Sequence, residues 1–479
     1  MKTGLFICLL AALVALAPRT PHGDNPQTRV QLATARTLAQ HGSLDITADG
    51  PSSFSTVHAG RRYATAGFGN ALFLTPFEGL LRVTLGSSLE AAPVTQLLES
   101  ALSAALVALT CVLFFGGLRE LGVRRTTALP AAVALAFATP LFIAGRVPDG
   151  TALATLLLYV AFRCARGESP WAALGLGLSG AGLILVEPTW LPVLVVPVLS
   201  LRRRDVERML AVAVPVFIAV AAEVLRRRTI GWFPPPPADL AEGLDGLLLS
   251  TGKSLFLYCP LLVACAWALP WWWRTRRAYA ATTLALCTAG VLCAALTDRW
   301  HGDPTWGPRR LVPLVPILLE PVVAWADAQL PFARRRTQAT LAALALLGLI
   351  VQGLGAAFTP TAYLRLLQPV RIVTGAPAWF DDPPSETHFI PQFSPLRGHA
   401  WMLSHLLRRD PHLSADAPWV LLSQNTPKLE AEYAKLQLDW WVLAWPRARG
   451  SLLLALLLLT ASLGSFIVAW AIRRPRVIG

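Results

Sequence analysis

Long apolar segments alternate with shorter polar ones along almost the whole chain. The apolar segments cover residues 4–17, 94–117, 126–146, 151–165, 170–187, 188–201, 207–225, 254–273, 278–297, 310–326, 337–358 and 450–472. A helix of roughly 20 apolar residues crosses a bilayer, so the pattern predicts about 12 transmembrane helices. Composition agrees, because 54% of the 479 residues are hydrophobic and only 15% are charged. We therefore expect an all-α polytopic membrane protein.

Arginine clusters predict the orientation of these helices. With the N-terminus in the cytoplasm, the clusters at 119–125, 163–166, 202–204, 274–277, 334–336 and 473–476 all fall on the cytoplasmic side, as the positive-inside rule requires. Arg226–Arg228 is the strong exception, because this cluster falls outside. Arginines at membrane edges account for much of the net charge of +14, so we expect membrane lipids rather than nucleic acid as partners.

The pattern divides the chain into three parts. Residues 1–358 form a transmembrane domain whose first outer loop is 18–93. Residues 359–449 form a small outward-facing region, in which 396–409 is the best predicted helix. Residues 450–479 form a final transmembrane helix and a basic cytoplasmic tail.

Two segments near the N-terminus depart from an ordinary span. The run 4–17 has the features of a signal peptide, but Pro18 directly after the possible cleavage site favours an uncleaved helix. The segment 67–86 is apolar but interrupted by glycine, proline and charged residues. We expect it to lie in the membrane interface or to re-enter it, because counting it as a span would move most arginine clusters outside.

The first outer loop carries helix punctuation. Asp24 or Asn25 can cap a helix, Pro26 suits its first position, and Gly42 can end it. Arg29 and Arg36 are seven residues apart and share one face of this helix. They are candidates for contact with lipid headgroups or with a phosphate.

This loop resembles the first outer loop of the GT-C superfamily of polytopic glycosyltransferases, which includes protein O-mannosyltransferases and the lipid A aminoarabinose transferase. The resemblance rests on Asp24 after the first apolar segment, on the arginine-bearing helix ending in His-Gly-Ser-Leu, and on Tyr63 followed by Gly-x-Gly and Pro-Phe. It implies a GT-C-like topology, a polyprenyl-phosphate sugar as donor, and a catalytic role for Asp24. It also places Tyr63 in the substrate cavity. The family often has an acidic residue where this chain has Asn25, which weakens the match.

Two further carboxylates lie near the predicted outer face. Asp149 begins the fourth predicted helix, so it can be a helix cap, and the resemblance implies a second catalytic carboxylate in this loop. Both roles are compatible in one residue. Glu187 precedes Pro188 at the outer end of a span, where an ionisable group is costly and is a candidate for the substrate cavity.

The loop Trp300-His-Gly-Asp303 to Arg309-Arg310-Leu resembles a string found in some bacterial GT-C-like proteins. Arg309 and Arg310 are at a membrane boundary, where guanidiniums bind phosphate oxygens in a bidentate manner. The alternative is an aromatic belt with two snorkelling arginines. Lys253 in the preceding outer loop has the same two interpretations, phosphate contact or snorkelling.

Metal and cysteine chemistry receive little support from the sequence. His301 and Asp303 lack a defined third ligand, so a solvated loop is the favoured interpretation, with a divalent cation as the alternative. The seven cysteines lie in or beside apolar segments, which indicates packing rather than a disulfide framework.

These patterns favour an inverting hexosyl- or pentosyltransferase of the inner membrane, with both termini in the cytoplasm and the site on the outer face. Its donor would be a polyprenyl-phosphate sugar and its acceptor a lipid, a glycan or a protein. Asp24 and Asp149 would be catalytic, and the donor phosphate would be bound by Arg309, Arg310, Arg29 and Lys253. The substrate cavity would contain Arg36, Tyr63, Glu187, Trp300, His301 and Asp303. A non-catalytic relative and a lipid or glycan transporter remain alternatives, although no repeat between the two halves supports a transporter.

Overall fold

The computed structural model describes residues 2–18, 25–47, 54–85, 93–201, 206–302, 304–367, 386–408, 426–444 and 448–471. Within these ranges the chain is almost entirely helical. The helices are α1 (Lys2–Ala15), α2 (Pro26–His41), α3 (Gly69–Leu85), α4 (Pro93–Glu120), α5 (Arg125–Phe137), α6 (Leu141–Ala144), α7 (Thr151–Cys164), α8 (Pro170–Val186), α9 (Val195–Leu199), α10 (Val206–Thr229), α11 (Leu240–Leu248), α12 (Leu255–Tyr258), α13 (Cys265–Thr275), α14 (Arg277–Ala295), α15 (Val315–Ala328), α16 (Pro331–Ala357), α17 (Pro360–Leu367), α18 (Glu386–Phe389), α19 (Pro395–Arg408), α20 (Thr426–Tyr433) and α21 (Ala448–Ala471). Strands β1 (Ser55–His58) and β2 (Arg61–Ala64) form an antiparallel hairpin in which Ser55 is opposite Ala64.

Several helices have the length and apolarity needed to cross a membrane. In the described ranges these are Gln96–Glu120, Val206–Thr229, Arg277–Ala295, Arg309–Ala328 and Ala333–Ala357. Shorter apolar helices accompany them, including α1, α5, α7 and α8. The molecule is therefore a helical protein of the multi-pass membrane class, while the predicted number of 12 spans is not established.

Proline interrupts three of the segments that the sequence pattern treats as continuous. Residues 126–146 form α5 and α6, separated at Ala138–Pro140. Residues 188–201 form two 3-10 helices, Pro188–Trp190 and Pro192–Leu194, before the short α9. Residues 254–273 form α12, the 3-10 helix Pro260–Ala264 and then α13. Proline lacks an amide hydrogen and its ring clashes with the preceding turn, which explains each interruption.

The first outer loop has the local structure that its punctuation predicts. Asn25 caps α2, since its side chain accepts hydrogen bonds from the amides of Gln27 at 3.0 Å and Thr28 at 3.3 Å. Pro26 is the first helical residue, and Gly42 ends the helix with a φ of 61°. The next helix, α3, runs from Gly69 to Leu85 with Pro76 inside it.

The link into α3 is pressed against the end of α8. A Cβ added to Gly67 would lie 2.5 Å from the carbonyl oxygens of both Leu185 and Val186. A Cβ added to Gly69 would lie 2.6 Å from backbone atoms of the same two residues. This seam therefore requires glycine at both positions.

The two ends of the chain pack together. Ser462 Oγ of α21 donates a hydrogen bond to the carbonyl oxygen of Cys8 in α1 at 2.8 Å. Trp440 and Trp441 both donate their indole N–H to the carbonyl oxygen of Ala15, at 2.8 and 3.1 Å. Residues before α21 thus join the C-terminal part to the end of α1.

The predicted outward-facing region contains its own apolar cluster. Phe358, Tyr363, Leu367, Phe393 and Met402 are buried against one another. The helix predicted at 396–409 is confirmed as α19. This cluster supports the packing of α19 against the end of α16, which brings both helices to the loop that carries Arg309.

Candidate functional site

A cavity of about 790 Å3 lies among residues of α2, residues that precede α7, and residues that follow α8, α10 and α14. We call it the charged cavity. Its lining includes Gln27, Gln31, Phe54, Gly67, Asp149, Glu187, Leu191, Arg227, Trp232, Pro234, Asp298, Arg299, Arg309 and Arg310. Four arginines and three carboxylates thus line one space, and cations outnumber anions among the described lining residues. Such a balance favours an anionic ligand.

Arg309 and Asp149 form the first ion pair of this cavity. Arg309 Nε lies 3.1 Å from Asp149 Oδ2 and donates to Thr151 Oγ1 at 2.9 Å. Arg309 Nη2 donates to the carbonyl oxygen of Asp149 at 2.6 Å, and Nη1 donates to Gln27 Oε1. The two side chains are only 12% and 9% exposed, so the guanidinium is held in one orientation.

Asp149 also supports the start of α7. Its Oδ1 accepts a hydrogen bond from the amide of Thr151 at 2.9 Å, and Gly150 between them has a φ of 85°. The capping role and the position in the cavity therefore occur in the same residue, as both interpretations of the sequence allow.

Arg310 and Glu187 form the second ion pair. Arg310 Nη1 donates to Glu187 Oε1, and its Nε donates to the carbonyl oxygen of Arg299 at 2.8 Å. Glu187 lies at the C-terminal end of α8, directly before the 3-10 helix at Pro188. The carboxylate predicted to face the cavity is thus the partner of an arginine predicted to bind phosphate.

A second group of arginines at this cavity was not predicted. Arg227 lies over the Trp232 ring at 4.8 Å, and Arg299 lies over the Phe54 ring at 4.4 Å. Glu223, which is buried, pairs with Arg227 at 2.7 Å and with Arg226 at 2.8 Å. Arg227, one of the arginines that break the positive-inside pattern, therefore belongs to the wall of the cavity, and that break in the pattern was the signal available in the sequence.

A smaller chamber of about 90 Å3 also borders the Arg309–Asp149 pair. Asn25, Trp306 and Asp439 line it together with both members of that pair. The start of α2 is therefore close to the two charged residues. Asp24, directly before Asn25, lies outside the described residues, as does Asp303.

Arg36 lies away from the charged cavity and joins three helices. It pairs with Glu78 of α3 at 3.2 Å and with Glu99 of α4 at 3.1 Å. Both carboxylates are almost completely buried. The structure places this arginine in a link between α2, α3 and α4 rather than in the lining of the cavity.

The other predicted site residues also lie outside the cavity lining. Arg29 is exposed on α2, and Tyr63 is half-buried in β2, opposite Thr56. Trp300 and His301 are buried beside His388, and Lys253 is 2% exposed with its Nζ donating to the carbonyl oxygen of Thr305 at 2.7 Å. Lys253 thus supports the loop before Arg309 instead of snorkelling.

No metal-binding group of three His, Cys, Asp or Glu residues occurs within the described residues. All seven cysteines are free thiols, and five of them are buried, in agreement with a packing role. The polar groups among the described lining residues of the charged cavity include guanidinium, carboxylate, amide and hydroxyl groups.

The fold and the cavity define a helical membrane protein with a site suited to an anionic ligand. No family model matches the chain, and no curated protein matches it. Two solved structures are similar in shape. The crystal structure of ArnT from Cupriavidus metallidurans bound to undecaprenyl phosphate has 14% identity and a TM-score of 0.44, over 96% of this chain and 76% of that one. The same protein in the apo state has 13% identity and a TM-score of 0.42, over 97% and 76%. At these values the likeness establishes neither the family nor the reaction of this chain.

Proposed function

We propose that this chain is a membrane glycosyltransferase that moves a sugar from a polyprenyl-phosphate donor to a lipid, glycan or protein acceptor. The reaction would take place at the outer face of the cytoplasmic membrane. The observation that carries the proposal is the meeting of the Arg309–Asp149 and Arg310–Glu187 pairs in one cavity. The resemblance of the first outer loop to GT-C enzymes supplies the reaction class.

The arginines supply what a phosphate leaving group needs. A lipid phosphate entering the charged cavity would exchange with the carboxylates as partner of Arg309 and Arg310, because guanidinium binds both groups through the same paired N–H donors. Hydrogen bonds that Arg309 donates to Gln27, Thr151 and the Asp149 carbonyl oxygen hold it in place beforehand. Such preorganised cations stabilise negative charge as it develops on the leaving phosphate.

The proposed sugar transfer requires only a few groups of the protein. The acceptor hydroxyl oxygen attacks the anomeric carbon from the face opposite the phosphate, the bond from that carbon to the phosphate oxygen breaks, and the polyprenyl phosphate leaves. A carboxylate accepts the hydroxyl proton. We assign this role to Asp24, since Asn25 lines the chamber that borders the Arg309–Asp149 pair, and we assign Asp149 the task of orienting Arg309 and the acceptor.

Membranes that contain the protein test the proposal. Transfer of radiolabel from a panel of polyprenyl-phosphate sugars is measured for wild type, Asp24→Asn, Arg309→Ala and Arg228→Ala at equal protein levels. Arg228 is an exposed neighbour of Arg227 and serves as the control. We expect transfer by wild type and by the Arg228 variant only. Transfer that survives Asp24→Asn would remove Asp24 as the base, and absence of transfer from every donor would favour a non-catalytic or transporting protein.

A further inference from the structure

Arg309 and Arg310 belong to a loop that also makes contacts outside the charged cavity, two of them with histidines. We call residues 300–310 the arginine loop; within it, Asp303 lies outside the described residues. Gly302 and Gly307 have φ values of 71° and 69°, so the loop has no regular helix or strand to fix it before Arg309. Trp300, His301 and Trp306 of this loop are buried and are not among the residues that line the charged cavity.

The first contact is made by His388 of α18. Its ring stacks on His301 at 5.0 Å with an interplanar angle of 23°, and it meets Trp300 at 5.4 Å. The carbonyl oxygen of His388 accepts hydrogen bonds from the amide of Gly252 at 2.9 Å and from Thr251 Oγ1 at 3.3 Å. The adjacent Lys253 bonds the carbonyl oxygen of Thr305. The 251–253 turn therefore ties His388 to the arginine loop a second time.

The second contact is made by His399 of α19. Its ring lies 4.5 Å from the Trp306 ring, and its Nδ1 bonds the carbonyl oxygen of Leu354 at 2.9 Å. Gly355 leaves room for the indole, because a Cβ there would lie 2.5 Å from Trp306 Nε1. Tyr258 closes the other side of Trp306 at 5.2 Å.

We propose that His388 and His399 are positioning residues that hold the arginine loop from both ends and thereby set the geometry of Arg309 and Arg310. The proposal rests on the proposed function only for its consequence on phosphate binding. The predicted outward-facing region would then be part of the donor site, acting through the arginines, rather than a separate acceptor domain.

Both histidines act in their neutral form. Burial lowers the pKa of His399 to about 4, and burial followed by the neighbouring His301 and Lys253 lowers the pKa of His388 well below its usual value. Glu386 begins the helix of His388. Tyr363 lies 6.4 Å from His399, with Tyr258 and Arg397 near Tyr363. Acid would place new cations in both contacts, which would release the loop.

Hydrogen exchange of the purified full chain tests the positioning directly. In the arginine loop and just after it, the amides of Gly302, Arg309 and Leu311 are hydrogen-bonded to main-chain carbonyl groups. We expect their exchange to rise on the order of tenfold in His388→Ala and His399→Ala. His405→Ala is the matched control, because His405 is buried in the same α19 but contacts Trp401 and Tyr433. Replacement of these histidines by phenylalanine keeps an aromatic ring. We therefore expect the loop amides of His388→Phe to exchange as slowly as those of wild type.

Binding of undecaprenyl phosphate in detergent is measured on the same samples and should weaken on the order of tenfold in the two alanine variants. Unchanged exchange in both variants, or an equal loss of binding in His405→Ala, would overturn the proposal. Wild type that binds no polyprenyl phosphate would contradict the proposed function, while exchange would still decide the positioning role. If an alanine variant does not fold, wild type is compared with the double phenylalanine variant between neutral pH and about pH 5. Loop exchange, expressed relative to the intrinsic amide exchange rate at each pH, should then rise in acid in wild type only, and an equal rise in both would count against the proposal.

Discussion

Asp149 and Arg309 are joined through side chain and main chain at once. Arg309 Nε is 3.1 Å from Asp149 Oδ2, and Nη2 donates to the Asp149 carbonyl oxygen at 2.6 Å. An anion that binds Arg309 competes with this carboxylate for the same guanidinium N–H donors. Donor binding and release of Asp149 are therefore coupled events in the proposed reaction.

Replacing Arg309 by lysine should impair donor use although the charge is kept. Lysine lacks the planar donors that reach Thr151, Gln27 and the Asp149 carbonyl group together. We expect kcat/KM for the donor to fall at least about tenfold, equivalent to about 1.4 kcal/mol. Steady-state transfer kinetics measure this, with Arg228→Lys as control. Equal kinetics for the lysine variant and wild type would contradict the requirement for the planar guanidinium of Arg309.

Neutralising Glu187 should strengthen phosphate binding. The carboxylate of Glu187 competes with any ligand phosphate for Arg310, so Glu187→Gln removes a competitor while keeping a hydrogen-bond acceptor. We expect the Kd for undecaprenyl phosphate to fall about threefold to tenfold, with a steeper salt dependence. A titration at two ionic strengths measures both quantities. Weaker binding by the variant would show that Glu187 orients Arg310 instead of opposing the ligand.

Loss of Glu223 should destabilise the fold. It is the partner of Arg226, which is 5% exposed, and removal would leave that guanidinium buried without its carboxylate. We expect Glu223→Gln to lower the free energy of unfolding by about 3–5 kcal/mol. Glu432→Gln breaks the more exposed Lys435 pair and should change it by less than about 1 kcal/mol. Thermal melting of both variants in the same detergent compares them, and similar Tm values would refute the distinction.

The stability of the protein should decrease in mild acid. His399 has a pKa of about 4 in the folded protein and 6.5 as its ordinary value. Between these values the unfolded chain binds more protons, so stability is full above pH 6.5 and is lost as the pH falls towards 4. The loss from this residue approaches about 3 kcal/mol below both values. His399→Phe should have a smaller drop in Tm between neutral and acidic buffer than wild type, and an unchanged pH slope would exclude His399 as its origin.

Local rules predicted the local structure well. The caps at Asn25 and Gly42 and the first residue Pro26 define α2 because each acts through neighbours a few residues away. The breaks in the helices at 188–201 and 254–273 also follow from a local rule, the effect of proline. The apolar length of each segment nevertheless favoured a single helix in the prediction. A hydropathy pattern does not distinguish one long helix from several short ones in sequence.

The pattern of apolar and polar residues did not predict contacts between residues that are far apart in the chain. Arg36 was assigned to the substrate cavity, but its partners Glu78 and Glu99 are 42 and 63 residues away. Arg227 looked like a topological exception because its roles at Glu223 and Trp232 exist only once α10 and the following loop have folded. Asp149, Glu187, Arg309 and Arg310 were named as candidates from the sequence, and the structure brings all four to the lining of one cavity.

The seam between Gly67, Gly69 and the backbone at 185–186 limits how a long substrate could reach the site. With no side chain between them, the start of α3 and the end of α8 leave no gap at this point for an isoprenoid chain. Leu191 and Val195, which follow directly beyond Glu187, are 39% and 53% exposed. In the proposed reaction, the polyprenyl tail of the donor would therefore lie along the segment that follows Glu187. Its phosphate would then pass Arg310 before it reaches Arg309.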